Sequence, residues 1–547
     1  MKKKVLSLVT GAALLLTAVC GLFAGCKPPD GNKIIIDKTK KQIYFQVFNG
    51  GFGSEWAFRA ALAFNETDAA YQVVPAANKD EYYVIHAGFE AGTQANDIFL
   101  NVPDFREGFA KGWFEDLTDV YNSRPDGEDK PMLKDKIFEK DRAYVDSYFK
   151  VGGGYYGVPF SEGISGFIYD HGVFLEKGLL IGESGSLITS PSATLSAGRD
   201  GQKGTFDDGH PVNLQEYELM LSKILGANMS PFLWTSQFGY YINPLFETLH
   251  AEYDGLEAYN LQYNFEGTYT KPSTGVQTPI NKTNGYLAFA QEGKLEALKF
   301  VSNYLGQTIY YHDAVARSTS HTDAQQIFVY SAAEQTSVNK QAAFLYEGNW
   351  WENEARARFN SLAERGRTDY AYGTRDYRMM MLPRLNTYQE DKGYFLDSIE
   401  NMCIFAKKQA DPDKAAAVKR FISFLCSDKQ LSESTALAGF LRPFNYSISP
   451  ADDAVMTKFG KNCFELRRAD NVAIMRSRQR EQTSDVAYAA YGAGAARWTS
   501  GGMTQPVTVL TQNKNTGLAP VSAQTYYNGI QTHNQAVWPD FLAAANA

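Results

Sequence analysis

The residues best equipped to hold a ligand stand at the ends of apolar runs and in one adjacent pair of indoles. Asn49 and Phe52 follow the run 43–48 (IYFQVF), Asn101 and Asp104 close and follow the run 97–102 (DIFLNV), and Trp350 and Trp351 come shortly after 342–346 (AAFLY). A ring can stack, and a planar amide or carboxylate can pair with adjacent hydroxyls, so these types suit non-covalent recognition. Signatures of catalysis are missing: the chain holds no GxSxG, HExxH or P-loop. Gly50, Gly51 and Gly53 follow a strand-like run, but their spacing is not the GxGxxG of a dinucleotide site. The stretch 200–209 (DGQKGTFDDG) mixes acids and glycines, yet Gly204 and Phe206 stand where a calcium loop needs ligands. Turn chemistry without metal is expected there, and no cofactor is expected anywhere.

The bulk of the chain agrees with a binder of small molecules. A length of 547 residues implies two domains with insertions, and 44% hydrophobic with 21% charged residues is ordinary for a soluble globular chain. The aromatic share of 14% supplies many ring faces, and a net charge of −8 argues against a nucleic-acid backbone as partner. Lys2 to Lys4 and the apolar stretch 5–19 form a signal peptide too short for a comfortable membrane span. Ala24 and Gly25 before Cys26 look like a lipobox, with Phe23 in place of the usual leucine. Residues 1–25 are therefore expected to be removed, Cys26 to carry lipid, and 26–33 (CKPPDGNK) to be a tether. Losing three lysines with that segment takes the charge to −11. Cys403, Cys426 and Cys463 have no CxxC spacing and read as buried thiols.

Elements follow in an order that builds an α/β fold. The spacing predicts a strand at 43–48, a helix capped by Ser54, a strand at 71–75, a helix at 79–90 and a strand at 97–102, a parallel βαβ arrangement. Trp56 falls on the buried face of its helix. The stretch 151–170 (VGGGYYGVPFSEGISGFIYD) reads as a glycine hairpin, a Pro159 at a strand edge and a crossing into a second lobe. Strands are predicted at 342–346, 379–383 and 402–406, with Asp411 and Pro412 starting a helix.

With these residues in order, the chain resembles extracellular solute-binding proteins of family 1, the sugar-binding lipoproteins of bacterial ABC importers. The resemblance is carried by VFNGGFGSEW at 47–56, ANDIFLNVP at 95–103, WFEDLTDVY at 113–121 and GYYGVPFSEGISGFIYD at 154–170. It continues in AAFLYEGNWWENE at 342–354, in 400–430 and in GFLRP at 439–443. It implies a two-lobed periplasmic-binding-protein-like (type II) fold with a hinge of crossing segments and the ligand in the cleft. Lobe one would take 34–158 and 395–440, and lobe two 159–394 and 441–547, with insertions at 178–212 and 235–285.

The resemblance also implies the function: capture of a sugar or oligosaccharide for membrane permease subunits by a monomer anchored outside the cytoplasm. Trp350 stands where the family often places a stacking ring, with Trp351 beside it. Asn49, Phe52, Asn101 and Asp104 lie at the carboxyl ends of strands, where open α/β sheets bind ligands. Phe160 and Glu162 lie at the crossing, Glu400 precedes the returning strand, and Trp234 and Arg442 complete the candidates. Two rivals stand beside this expectation. An exported glycosidase needs two carboxylates about 5–10 Å apart, which this acid-rich chain could supply. A surface glycan-binding lipoprotein would be expected to repeat β-modules, and no repeat is visible.

Overall fold

The computed structural model describes residues 34–545 except 79–81, 102–104, 335–339, 387–391, 400–401, 478–483 and 513–518. The chain divides into two compact units, 1–160 with 401–438 and 443–453, and 161–400 with 439–442 and 454–547. These limits differ from the expected lobes at four places, one of them 439–440, which falls in the second unit. Pro159 pairs with Cys403, which keeps 159–160 in the first unit. The strand Gly393–Leu396 pairs with Val472–Met475 and so belongs to the second. A bridge between Ile137 and Phe444 draws 443–453 into the first.

The first unit is built on a five-stranded sheet in the order Tyr71–Asn78, Lys41–Phe48, Ile98–Leu100, Cys403–Ala406, Val158–Pro159. The first three strands are parallel, and Cys403–Ala406 runs against Ile98–Leu100. Ile43, Phe45 and Val47 are fully buried, as their near-continuous apolar run requires. Pro159, with no N–H to donate, sits in the edge strand. The helix Glu55–Thr67 buries Trp56, Ala60 and Phe64 on one face, although Ser54 makes no side-chain capping bond. Asp411 does cap the helix Pro412–Leu425, accepting from the amides of Asp413 and Lys414. Its Phe421 meets Phe45 and Phe64 edge-on, at 5.7 and 5.1 Å between centroids. The hairpin Lys150–Val151/Gly154–Tyr155 turns through Gly152 and Gly153 at φ of +60° and +93°, a conformation that favours glycine.

The second unit surrounds a four-stranded sheet in the order Tyr377–Met380, Ser165–Asp170, Ala342–Gly348, Ser230–Leu233. Ala342–Gly348 is antiparallel to Ser165–Asp170 and parallel to Ser230–Leu233. Every residue of Ala342–Gly348 and of Ser165–Asp170 is buried. The excursion 178–212 is pinned to this unit by Arg199, which donates to Glu252 at 3.0 Å and to the Leu382 carbonyl at 2.8 Å. Its acidic loop spends carboxylates on its own backbone: Asp207 accepts from the amides of Arg199 and Asp200, and Asp208 from that of Gly204. The segment 235–285 holds the helix Asn243–Asn264, kinked at Gly255, and the hairpin Gly267–Thr270/Gln277–Ile280. Cys403, Cys426 and Cys463 are free, buried thiols. Among the described residues no helix is long and apolar enough to cross a membrane.

Candidate functional site

The second unit presents one group of rings and acids at the carboxyl end of the strand Ala342–Gly348. Alternation along the strand sends Glu347 to one side of the sheet and Tyr346 and Gly348 to the other. Asn349 then turns the chain, its amide donating to the Ile164 carbonyl at 3.0 Å and its side chain to that of Gly439 at 2.9 Å. Trp350 takes the N-cap of the short helix Trp351–Glu354. The two adjacent indoles part company here. Trp351 is fully buried among Phe328, Phe359, Tyr377 and Phe459, with centroids 5.0–5.9 Å away. Trp350 is half-buried, and its Nε1 donates to Glu347 Oε1 at 3.1 Å.

Two glycines make room for the Trp350 ring. A Cβ at Gly348 would stand 2.3 Å from its Cη2 and Cζ3, and one at Gly163 2.8 Å from its Cζ3. The indole therefore lies against bare backbone and is fixed at its edge by a buried acid.

The helix His321–Ala333, capped by Ser320, adds polar groups from residues spaced four apart. Gln325 Nε2 donates to Glu354 Oε2 at 2.7 Å, and His321 Nε2 lies 3.7 Å from Glu354 Oε1. Burial, followed by the charge of Glu354, pushes the Glu347 carboxyl well above its usual value, while hydrogen bonds from Trp350 and Gln325 act the other way. The Tyr241 hydroxyl is raised by the same combination of burial and the charges of Glu347 and Glu354. Glu347, Glu354, Gln325, His321 and Tyr241 thus form one electrostatic neighbourhood beside Trp350.

The remaining sequence candidates separate by burial. In the first unit Asn49 is half-buried after its strand. Asn101 is itself buried, with φ of +119°, unusual for a residue with a side chain, and its amide donates to the Cys403 carbonyl at 3.4 Å. Strain of this kind is held by its surroundings and concentrates at ligand sites. Phe52 is buried, and so is Phe160, whose ring packs 5.0 Å from Trp56. Trp234 is buried edge-on to Tyr311, and Trp351 has no exposed face at all. Arg442 is buried with its guanidinium 4.9 Å from the Phe440 ring. These five correct the expectation of ligand-facing side chains, because each is engaged in a core.

Glu162 is corrected for a different reason. Its carboxylate lies buried between Arg467, whose Nη2 donates to Oε1 at 3.1 Å, and Arg476. Arg467 Nε also donates to Oε2, so both oxygens are occupied. Asp104 and Glu400 lie outside the described residues, as does Cys26.

Glu347, Glu354, Gln325, His321 and Tyr241 were missed by the sequence reading. The only signal was the acid three residues before Trp350, inside an otherwise apolar strand. Among the described residues one His/Glu group, His86, Glu90 and Glu107, has its ligand atoms within 4.8 Å of one another. Lys111 already pairs with both of its carboxylates, with Nζ 2.7 Å from Glu107 and against Glu90.

Comparison with known proteins places the chain in a family. Residues 63–459 match the model of the bacterial extracellular solute-binding proteins, and the chain belongs to that family. No curated protein matches it significantly. Solved structures match nearly end to end. The apo form of RafE from Streptococcus pneumoniae is 12% identical with a TM-score of 0.54, covering 92% of this chain and all of its own. A chitin oligosaccharide binding protein is 15% identical with a TM-score of 0.55, over 91% of this chain and 99% of its own. RafE in complex with raffinose is 13% identical with a TM-score of 0.51, over 91% and 99%. The fold is therefore the α/β two-domain fold of periplasmic solute-binding proteins.

Proposed function

We propose that this protein is the lipid-anchored, extracytoplasmic solute-binding component of an ABC importer, and that its cargo is a saccharide stacked on Trp350. The observation that carries the reading is the half-buried indole laid against Gly348 and Gly163 and fixed by Glu347. Pyranose rings offer an apolar C–H face bordered by hydroxyls, which calls for a flat ring next to planar hydrogen-bonding groups. The half-buried Glu354 and His321 are such groups. Membership of a solute-binding family and structural likeness to a raffinose complex support the class of ligand. The lipobox before Cys26 supports the anchor, and membership of the family supports delivery to membrane permease subunits.

A second reading, an exported carbohydrate-active enzyme, draws on one observation. Burial and the charge of Glu354 push the Glu347 carboxyl well above its usual value, and an acid raised in this way beside a second carboxyl group is the pairing glycosidases use. Against it, Glu347 is only 3% exposed and one of its oxygens is occupied by the indole.

A thermal-shift panel of neutral, aminated and acidic oligosaccharides, with chromatography of each mixture, tests the pair of readings. Stabilisation without new products is expected. Release of shorter sugars would establish the enzyme, and a panel with no stabilising saccharide would overturn the proposal.

A further inference from the structure

The segment 235–285 is set apart by the sequence reading as an insertion, and nothing so far gives it a role. Its first residues are fastened to the loop before the helix His321–Ala333. The Thr319 carbonyl accepts from the amides of Ser236 and Gln237 at 3.0 and 3.1 Å and from the Thr235 hydroxyl at 2.9 Å. The Thr319 amide in turn donates to Ser236 Oγ at 3.0 Å.

This clasp sets the next residues, Phe238, Tyr240 and Tyr241, beside His321. Tyr241 is stacked on the imidazole at 5.4 Å and 13°, and Phe238 stands 6.0 Å from the same ring. Tyr240 lies 5.1 Å from Tyr241 and 5.8 Å from Phe238, and it is 58% exposed. Four rings thus make one shelf whose outermost member is turned to solvent.

The shelf is continuous with the Trp350 platform. His321 lies 3.7 Å from Glu354, Gln325 donates to Glu354 at 2.7 Å and also hydrogen-bonds Glu347, and Glu347 accepts from the indole at 3.1 Å. Acceptors and donors for sugar hydroxyls therefore lie between two aromatic surfaces. The acid beside the shelf is Glu354, half-buried and 3.7 Å from His321, in a chain of net charge −8. An anionic sugar would meet repulsion there; a neutral one would not.

We infer that the Phe238–Tyr241 shelf is a second stacking subsite, which takes the further rings of an uncharged oligosaccharide whose first ring rests on Trp350. The inference rests on the proposed saccharide function and adds to it the ligand's length and charge.

The test is calorimetric titration of the mature chain with malto-, xylo-, chito- and uronate oligosaccharides of one to five rings. Wild type, Tyr240→Ala, Tyr240→Phe and Trp350→Ala are compared. Affinity should rise with ring number in one series. Tyr240→Ala should weaken the longer members by about 5- to 30-fold, leave the shortest unchanged, and be rescued by Tyr240→Phe. Trp350→Ala should weaken every member. Loss in Trp350→Ala with none in Tyr240→Ala would overturn the second subsite alone and leave the shelf to a protein partner. Equal loss at every length in Tyr240→Ala, or a preference for uronate oligomers, would also overturn it. Indifference to Trp350→Ala, or binding of no member, would overturn the saccharide reading beneath it.

Discussion

Replacing Gly348 by alanine perturbs the Trp350 platform through the residue beneath it. Gly348 ends an ordinary extended strand, so an alanine backbone fits. Its Cβ would nevertheless lie 2.3 Å from Cη2 and Cζ3 of the indole and 2.5 Å from Cε3. Carbon atoms rest about 3.5–4.0 Å apart, so the ring must move outward by more than 1 Å or tilt away from Glu347. A displaced stacking ring costs about 1–3 kcal/mol of binding, which is about 5- to 150-fold in Kd. Calorimetry with the tightest saccharide of the panel measures the loss, and indole fluorescence reports the shifted ring. An affinity within about twofold of wild type, with a shifted ring, would refute the assignment of Trp350 as the platform.

Three further outcomes are expected. Glu162→Gln leaves Arg467 and Arg476 buried without their counter-charge, and should cost about 3–5 kcal/mol of stability in denaturant unfolding. Saccharide affinity of the folded variant should stay unchanged, whereas selective loss of affinity would return Glu162 to the site. Glu352, buried and pushed up to about 7 mainly by burial, binds a proton in the folded state that the unfolded chain releases near its usual 4.5. Its contribution to stability therefore falls as pH rises from about 4.5 to 7, by about 3 kcal/mol, so Glu352→Gln should gain on wild type across that window and not below it. Parallel pH profiles for the two proteins would contradict this. Cys26→Ser should abolish incorporation of labelled fatty acid and release the protein into the soluble fraction; retention in the membrane would contradict the anchor.

The sheet of the first unit was legible because its strands carry uninterrupted apolar runs and its connections are short. Strands and helices from 41 to 100 fall where periodicity puts them, with three parallel strands as the βαβ order requires. Pro159 and the glycines at 152–153 announced an edge and a hairpin by what their backbones permit. The site was only half legible. A pair of adjacent tryptophans must point in different directions, but residue types alone do not say which ring is buried; Phe328, Tyr377 and Phe459, distant in sequence, decide it. Glu162 looked free until Arg467 and Arg476, some three hundred residues later, came to meet it. The aromatic shelf was hidden for the same reason, because its geometry depends on a clasp between residues 235–237 and Thr319.

The central claim is that a saccharide binds on Trp350 and leaves unchanged. Titrating a neutral oligosaccharide into wild type, Trp350→Phe and Trp350→Ala, and recovering the sugar for chromatography, tests it most directly. The account predicts saturable binding by wild type, largely kept by Trp350→Phe, weakened about 5- to 150-fold in Trp350→Ala, with the sugar intact. Equal affinity in all three proteins, or recovery of a cleaved sugar, would contradict it.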